Sequence, residues 1–126
     1  MPAMEPARQT WSPRMTNPRN RFTFPHERLE VYRLAVDVAR RVRAARWPRR
    51  TAHIRDQAVR AAESVVLNIA EGVGRGPGDA RTNHHSIAFA SAAECLAALD
   101  VVDLSDKEPI EASLRRVGAM LRSMTR

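Results

Sequence analysis

The sequence has little cysteine and few aromatic residues. Its single cysteine, Cys95, excludes an intramolecular disulfide, and its position in an alanine-rich stretch predicts a buried, unreactive thiol. Aromatic residues make up only 5% of the chain, so a core has to be built from Ala, Val, Leu and Ile. At 126 residues the chain is long enough to bury such a core as one domain, without disulfides or metals.

Signals for membrane insertion, secretion and cofactor binding are also missing. No unbroken apolar run approaches the roughly 20 residues that a membrane-spanning helix needs, and no apolar secretion signal is recognisable. We therefore expect a cytoplasmic protein with no membrane partner. His84 and His85 are adjacent, so they diverge around a helix and cannot share a metal ion, and Gly72–Gly78 does not match a phosphate-binding loop. We predict no cofactor, no metal site and no catalytic residue.

Arginine is abundant and unevenly distributed. Residues 1–60 hold 14 arginines against five acidic residues, whereas residues 61–126 carry a net charge of −2. This asymmetry is typical of a protein that binds a polyanion such as nucleic acid, although the arginines can also form solvated faces. The arginines that we predict to bind nucleic acid are Arg40, Arg43, Arg46, Arg49 and Arg50.

The chain divides into a leader and a helical domain. Residues 1–25 contain five of the eight prolines and no helical period, which predicts a disordered basic leader before a domain at 26–126. Apolar periodicity predicts helices over about 27–46, 50–73, 79–102 and, behind Ser105 as N-cap, up to about 123. The sequence has no strand signal, and the links are short. We therefore predict an all-α fold, an antiparallel up-down four-helix bundle.

Two features of the predicted helices indicate self-association. The first helix has one apolar arc through Val31, Ala35 and Val38, and a second arc beside it through Val36 and Ala39. One bundle core does not need both arcs. The third helix carries small residues on several faces, which allows close approach of more than one neighbour. We expect a homo-oligomer.

The stretch RAAESVVLNIAEGVGR contains an unusual polar stripe. Arg60, Ser64, Asn68 and Glu71 lie at spacings of 4, 4 and 3, so they share one side of a helix. Ser and Asn are poor helix formers and usually sit within a helix because they form hydrogen bonds. The stripe is a solvated face, a ligand site, or a hydrogen-bonded seam against another helix or subunit. We favour the seam, with Asn68 and Glu71 also bracing the glycine loop that follows.

Several of these motifs occur together in one known family. They are Leu29–Tyr32 with Ala35, Gln57, Arg60–Ala61 with Ser64, Asn68–Gly72 with Gly74–Arg75, and Ala90–Ser91 with Glu94. Over about residues 24–124 the chain resembles the four-helix-bundle family of 23S rRNA intervening-sequence proteins. Relatives of this family include the accessory protein of diversity-generating retroelements. The chain departs from the family at Ser64–Leu67, which replaces a Ser-Ile-Pro-Ser segment and so removes a helix kink.

The resemblance implies a four-helix bundle in a ring-shaped homo-oligomer, a pentamer in known cases, without enzymatic activity. It also implies a link to RNA or the ribosome, and its retroelement relatives bind nucleic acid and a reverse transcriptase. Two hypotheses follow: an oligomeric module that binds structured RNA, and a protein-interaction scaffold for a reverse transcriptase or ribosomal component. The residues assigned to the structural or oligomer seam are Arg60, Ser64, Asn68, Glu71, Gly72, Arg75, Ser91 and Glu94.

Overall fold

The computed structural model describes residues 21–125, and four α-helices account for most of them. No β-strand occurs within these residues, which confirms the all-α prediction. Most of the leader predicted at 1–25 lies outside the described residues. The elements are a short 3-10 helix at Pro25–Arg28, then α1 (Glu30–Ala44), α2 (Ala52–Gly74), α3 (Asp79–Val102) and α4 (Glu108–Met124).

The end of α1 is fixed by side chains that reach back to it. The last carbonyls of a helix have no partner within the helix and need outside donors. Trp47 donates its Nε1–H to the carbonyl of Val42 at 3.0 Å, and Arg55 from α2 donates to the carbonyl of Arg43 at 3.1 Å. Pro48 follows and disfavours helical geometry at Trp47. For these reasons α1 ends at Ala44, two residues before the predicted end.

The start of α4 differs from the prediction. Ser105 is not the N-cap, because α4 begins at Glu108 with Lys107 in the capping position and Pro109 in the first turn. Asp103 and Asp106 on either side of Ser105 adopt left-handed backbone angles, with φ of 55° and 61°. The chain is still reversing direction at Ser105, so helical geometry starts only beyond Asp106.

The four helices share one apolar core. α2 packs against α1 and α3, α3 packs against α4, and α4 packs against α1, so each helix has two neighbours. Small residues such as Ala62 on α2 and Ala88 and Ala92 on α3 let these two helices approach closely. Cys95 lies fully buried in this core, and burial raises the pKa of its thiol to about 12.

Polar contacts join α1 to both of its neighbours. Arg116, at the middle of α4, contacts the carboxylate of Glu30, the first residue of α1. Arg55, near the start of α2, donates to the carbonyl of Arg43 near the end of α1. These contacts add polar links to the apolar core that the helices share.

α3 is the one helix among residues 21–125 that is long and apolar enough, by length and composition alone, to cross a membrane. The sequence predicted no membrane-spanning helix because it contains no unbroken apolar run of sufficient length. In α3 the apolar residues are interrupted by Glu94 and Asp100. About 33% of its most apolar window is buried inside the protein. Core helices of soluble proteins meet the same criteria, so the finding does not assign α3 to a membrane.

Candidate nucleic-acid interface and polar seam

The five predicted nucleic-acid-binding arginines lie on the second half of α1 and in the turn that follows it. All five side chains are exposed. Arg43 forms an ion pair with Glu63 of α2. Within residues 21–125, no carboxylate lies within ion-pair distance of Arg40, Arg46, Arg49 or Arg50. Among the described residues, four exposed cations without a carboxylate partner therefore lie at the end of α1 and in the turn after it.

Arg50 has an unusual backbone conformation at the tip of this turn. Its φ angle of 68° places it in the left-handed region, which costs an L-residue other than glycine, asparagine or aspartate about 1–2 kcal/mol. Thr51 helps to hold the turn, since its hydroxyl donates to the carbonyl of Pro48. A strained residue that persists in a turn is a reason to consider function there.

The polar stripe of α2 faces α3 and forms hydrogen bonds with it. The hydroxyl oxygens of Ser64 and Ser91 lie 2.8 Å apart across the two helices. Asn68 donates its Nδ2–H to the carbonyl and the hydroxyl of Ser64, at 2.9 and 3.1 Å. The side-chain oxygen of Asn68 lies 2.9 Å from Nδ1 of His84. Because an amide oxygen can only accept a hydrogen bond, Nδ1 of His84 must carry the proton.

Glu71 lies where the seam meets the glycine loop. Its carboxylate accepts a hydrogen bond of 2.7 Å from Arg75, the first residue after α2, and lies 3.8 Å from Nε2 of His84. The hydrogen bond from Arg75, followed by the charge of His84, lowers the pKa of Glu71. Glu71 and Arg75 are nevertheless both exposed. This part of the stripe links the end of α2 to its loop rather than filling the core.

Gly72 is buried because the ring of His85 packs directly across it. A Cβ atom at Gly72 would lie 2.9 Å from Cδ2 and Nε2 of His85, and 3.1 Å from Cβ of His84. These distances leave no room for a methyl group. The glycine of the Asn-Ile-Ala-Glu-Gly motif is therefore required by the approach of α3, whereas Gly76 and Gly78 are required by their positive φ angles of 80° and 135°.

His85 is an unusual group to bury. Its side chain is 1% exposed, and neither ring nitrogen has a hydrogen-bond partner among the described residues. Burial, followed by the charges of Arg81 and His84, lowers the pKa of His85, so the ring is neutral at physiological pH. Arg81 itself donates to the carbonyls of Gly72 and Val73 and so caps the end of α2.

The start of the stripe borders a small polar cavity of about 250 Å³ between α2 and α3. Arg60 and Glu94, from opposite helices, face this cavity with their side chains largely exposed. Gln57, Ser64 and Ser91 complete its polar lining. The residues predicted for the seam thus fall into three groups: a hydrogen-bonded centre, an open polar end at Arg60 and Glu94, and the end of α2 with its loop at Glu71, Gly72 and Arg75.

The described residues offer no group of three His, Cys, Asp or Glu side chains that is arranged to hold a metal ion. The one cysteine among them is buried, and its raised pKa keeps it as a thiol. A nucleophile needs an activating base within hydrogen-bond reach. The serine hydroxyls of the seam contact each other and Asn68, none of which can serve as that base.

A protein-family model described as 23S rRNA-intervening sequence protein matches residues 27–123 of the chain. The chain belongs to this family. In this 23S rRNA-intervening sequence protein, the matched region reaches from α1 into α4 and includes both the arginine cluster and the polar seam. Neither the comparison with curated proteins nor the comparison with solved structures gives a match.

The sequence did not reveal the contact of the two histidines with α2. Their spacing excluded a shared metal ion, but it gave no sign that His84 is half-buried and His85 fully buried. The sequence feature that could have indicated this contact is the pair of Gly72 near the end of α2 and His85 early in α3. A glycine just before the end of one helix and a bulky residue early in the next are positioned to meet when the connecting loop is short.

Proposed function

We propose that this 23S rRNA-intervening sequence protein is a non-enzymatic, self-assembling four-helix bundle that binds nucleic acid through the turn between α1 and α2. The observation that carries the proposal is the concentration of exposed arginines at Arg40, Arg46, Arg49 and Arg50, which have no carboxylate partner among residues 21–125. Arg41, Arg75 and Arg116 each form an ion pair. Other exposed arginines without a carboxylate partner in residues 21–125, such as Arg60 and Arg122, do not occur three within five residues as they do at 46–50. Guanidinium groups that are not engaged by carboxylates are suited to contact phosphates.

Membership in a family named for 23S rRNA favours RNA as the nucleic acid. Contacts of arginine with phosphate do not depend on the base sequence. The turn at residues 45–51 contains no Asn or Gln side chain that could form hydrogen bonds with the edges of bases. We therefore propose that the turn recognises the shape and charge of a structured RNA. Binding is expected to depend little on sequence and strongly on salt.

We further infer that successive helices run antiparallel. Contacts between late and early residues of neighbouring helices support this. Asn68, late in α2, contacts His84, early in α3. Glu30 and Val31 at the start of α1 line one pocket with Met124 at the end of α4. In an antiparallel bundle, the pair α1 and α2 forms one side, and the pair α3 and α4 forms the other. The arginine turn then lies at one edge of the α1–α2 side.

Each of these two sides carries an apolar groove, which supports assembly into a ring. The groove between α1 and α2 has a volume of about 380 Å³ and is lined by Val36, Val66 and Leu67. Arg40 and Arg43 also line it, so in a ring that fills this groove the nucleic acid is bound chiefly by Arg46, Arg49 and Arg50. The groove between α3 and α4 has a volume of about 410 Å³ and includes Phe89 and Leu96. Two different surfaces on opposite sides favour head-to-tail contacts between copies. Such contacts form a closed ring when the rotation from one subunit to the next completes a full turn after a whole number of subunits. We propose a ring-shaped homo-oligomer, a pentamer by resemblance.

Assembly is tested by introducing a charge into one groove. Leu67 is 67% exposed in the α1–α2 groove, and Val101 is 71% exposed on α3 outside both grooves. Light scattering should show that Leu67→Glu lowers the mass of the particle, whereas Val101→Glu leaves it unchanged. A wild-type particle with the 14.1 kDa mass of one chain would contradict the proposed ring.

Nucleic-acid binding is tested by a salt titration with labelled structured RNA and duplex DNA. The logarithm of affinity should fall with the logarithm of salt concentration by roughly 0.7 to 0.9 per phosphate neutralised. Replacing Arg46, Arg49 and Arg50 by Glu should remove most of the binding. The matched control reverses Arg41, Arg75 and Arg116, because these three arginines change the net charge equally but are already paired.

The scaffold function is the second candidate, and the exposed apolar grooves favour it. In that case a protein such as a reverse transcriptase or a ribosomal component would occupy a groove, and the arginines would remain solvated. Equal RNA affinity of the wild type and the Arg46, Arg49 and Arg50 variant would support the scaffold over the nucleic-acid interface.

A further inference from the structure

Four aromatic rings form a continuous run at the beginning of the folded region. The ring centroids of Phe22 and Phe24 lie 5.0 Å apart in an edge-to-face arrangement, and Phe24 stacks on His26 at 6.0 Å. His26 in turn meets Tyr32 of α1 edge to face, with centroids 4.6 Å apart. Tyr32 packs against the apolar core. The run is therefore anchored on the protein at one end and extends outward at the other.

Hydrogen bonds hold the backbone of this segment in place. The N–H of Phe24 donates to the carboxylate of Glu27 at 2.9 Å, and the N–H of Glu27 donates to the carbonyl of Phe24 at 3.0 Å. Arg33 of α1 donates its Nε–H to the carbonyl of Glu27 at 3.2 Å. Pro25 restricts φ at the first position of the 3-10 helix. The outer rings are thus supported by a short, fixed piece of chain.

The outer rings are exposed even though their neighbours are packed. Phe22 and Phe24 are 56% and 57% exposed, whereas the nearby aliphatic residues Leu29 and Val31 lie against or within the core. The polar residues of this stretch include three exposed arginines, Arg21, Arg28 and Arg33. The surface consequently combines exposed aromatic rings with cations, and Pro25 is the one exposed aliphatic side chain within residues 21–33.

We propose that Phe22 and Phe24 form a stacking platform for the unpaired bases of a single-stranded nucleic acid. Aromatic side chains beside a basic surface are the elements that single-strand binding proteins combine, because every base offers a face for stacking and every nucleotide carries a phosphate. The exposed apolar surface of residues 21–33 is aromatic except for Pro25, which suits a planar base better than an aliphatic partner. The inference rests on the proposed nucleic-acid binding and adds a second, chemically different site to it.

The platform is separate from the arginine turn. It lies before the start of α1, and the turn lies after its end, so the 15 residues of the helix place about 22 Å between them. A structured RNA with a duplex stem and an unpaired segment would be able to use both sites. A short single strand is expected to use the platform without the turn.

The platform is tested with a single strand of about 12 nucleotides that contains 2-aminopurine, a length within the range bound by single-strand modules. Stacking on an aromatic ring should quench the fluorescence of this base. Replacing both Phe22 and Phe24 by Leu keeps the surface apolar but removes the aromatic faces. This variant should lose the quenching and bind the single strand about ten- to a hundredfold more weakly.

Duplex DNA of equal charge and the Val101→Ala variant serve as controls. Val101 is as exposed as the platform residues but lies far along the chain on α3, so its replacement should leave single-strand binding unchanged. The Phe22 and Phe24 double variant should bind duplex like the wild type, which separates the platform from the arginine turn. Unchanged quenching in the Phe22 and Phe24 double variant would overturn the platform. A smaller oligomer in this variant would also overturn it, because Phe22 and Phe24 would then contact a second copy of the protein.

Discussion

Replacing Gly72 by alanine is expected to destabilise the protein, although the same change normally stabilises a helix. The new Cβ atom would lie 2.9 Å from two atoms of His85, closer than non-bonded atoms normally approach. His85 is 1% exposed and belongs to the packed interior, so its ring cannot move into solvent. Either the ring leaves its position or α2 and α3 separate locally.

The size of the effect follows from two opposing contributions. Forcing an extra carbon into a packed site costs about 1–3 kcal/mol. Gly to Ala within a helix contributes up to about 1 kcal/mol in the other direction. The net loss of stability therefore lies between about 0 and 3 kcal/mol, with a midpoint of about 1.5 kcal/mol. Each kcal/mol lowers the melting temperature of a small domain by about 4–8 °C.

Gly118 provides the matched control for this experiment. It lies within α4, and a Cβ atom there would find Phe89 at 3.9 Å, an ordinary contact distance. Gly118→Ala should raise the melting temperature when Gly72→Ala lowers it, as measured by circular dichroism at one protein concentration. If Gly72→Ala is as stable as Gly118→Ala, the close approach of His85 does not constrain the fold.

Asn68→Ala should lower the free energy of unfolding in urea by about 1–3 kcal/mol, because it leaves the Nδ1–H of His84 without its acceptor and removes both hydrogen bonds that Asn68 donates to Ser64. Asn83→Ala, at an exposed position, should change it little, and similar losses in both variants would contradict a role for the seam. The free energy of unfolding should also fall as the pH drops below about 6.5. In the unfolded chain His85 then takes up a proton, whereas in the folded protein burial lowers its pKa and keeps the ring neutral, so the unfolded state is favoured. His85→Gln should flatten this slope, and an unchanged slope would assign it to other groups. Arg50→Asn should raise the melting temperature by relieving the left-handed strain and should weaken RNA binding; a lower melting temperature would contradict the strain argument.

The helices could be predicted from the sequence because each carries a strong apolar period between clear breaks. α3 was predicted with the bounds that the structure has, since a glycine loop precedes it and its small residues continue without interruption. The start of α4 could not be predicted in this manner. Ser105 has the chemistry of an N-cap, but the left-handed angles of Asp103 and Asp106 depend on how the chain reverses.

The polar seam was partly visible in the sequence. The spacing of Ser64 and Asn68 indicated a row of hydrogen-bonding groups, but the row alone does not say which helix it faces. His84 completes the row from α3. Its part in the row could not be predicted, because one sequence does not show which residues of two packed helices lie opposite each other. The apposition of Gly72 and His85 was hidden for the same reason.

Because Cys95 is buried, the reactivity of its thiol reports how often the helical core opens. A thiol with a pKa of about 12 and no exposed surface reacts with an alkylating reagent only after α3 has moved away from its neighbours. As the sole cysteine, it gives one signal per chain with no background from other thiols. The rate of labelling in native buffer therefore reports how often the core opens, and a partner that clamps the helices together would slow that rate in proportion to its occupancy.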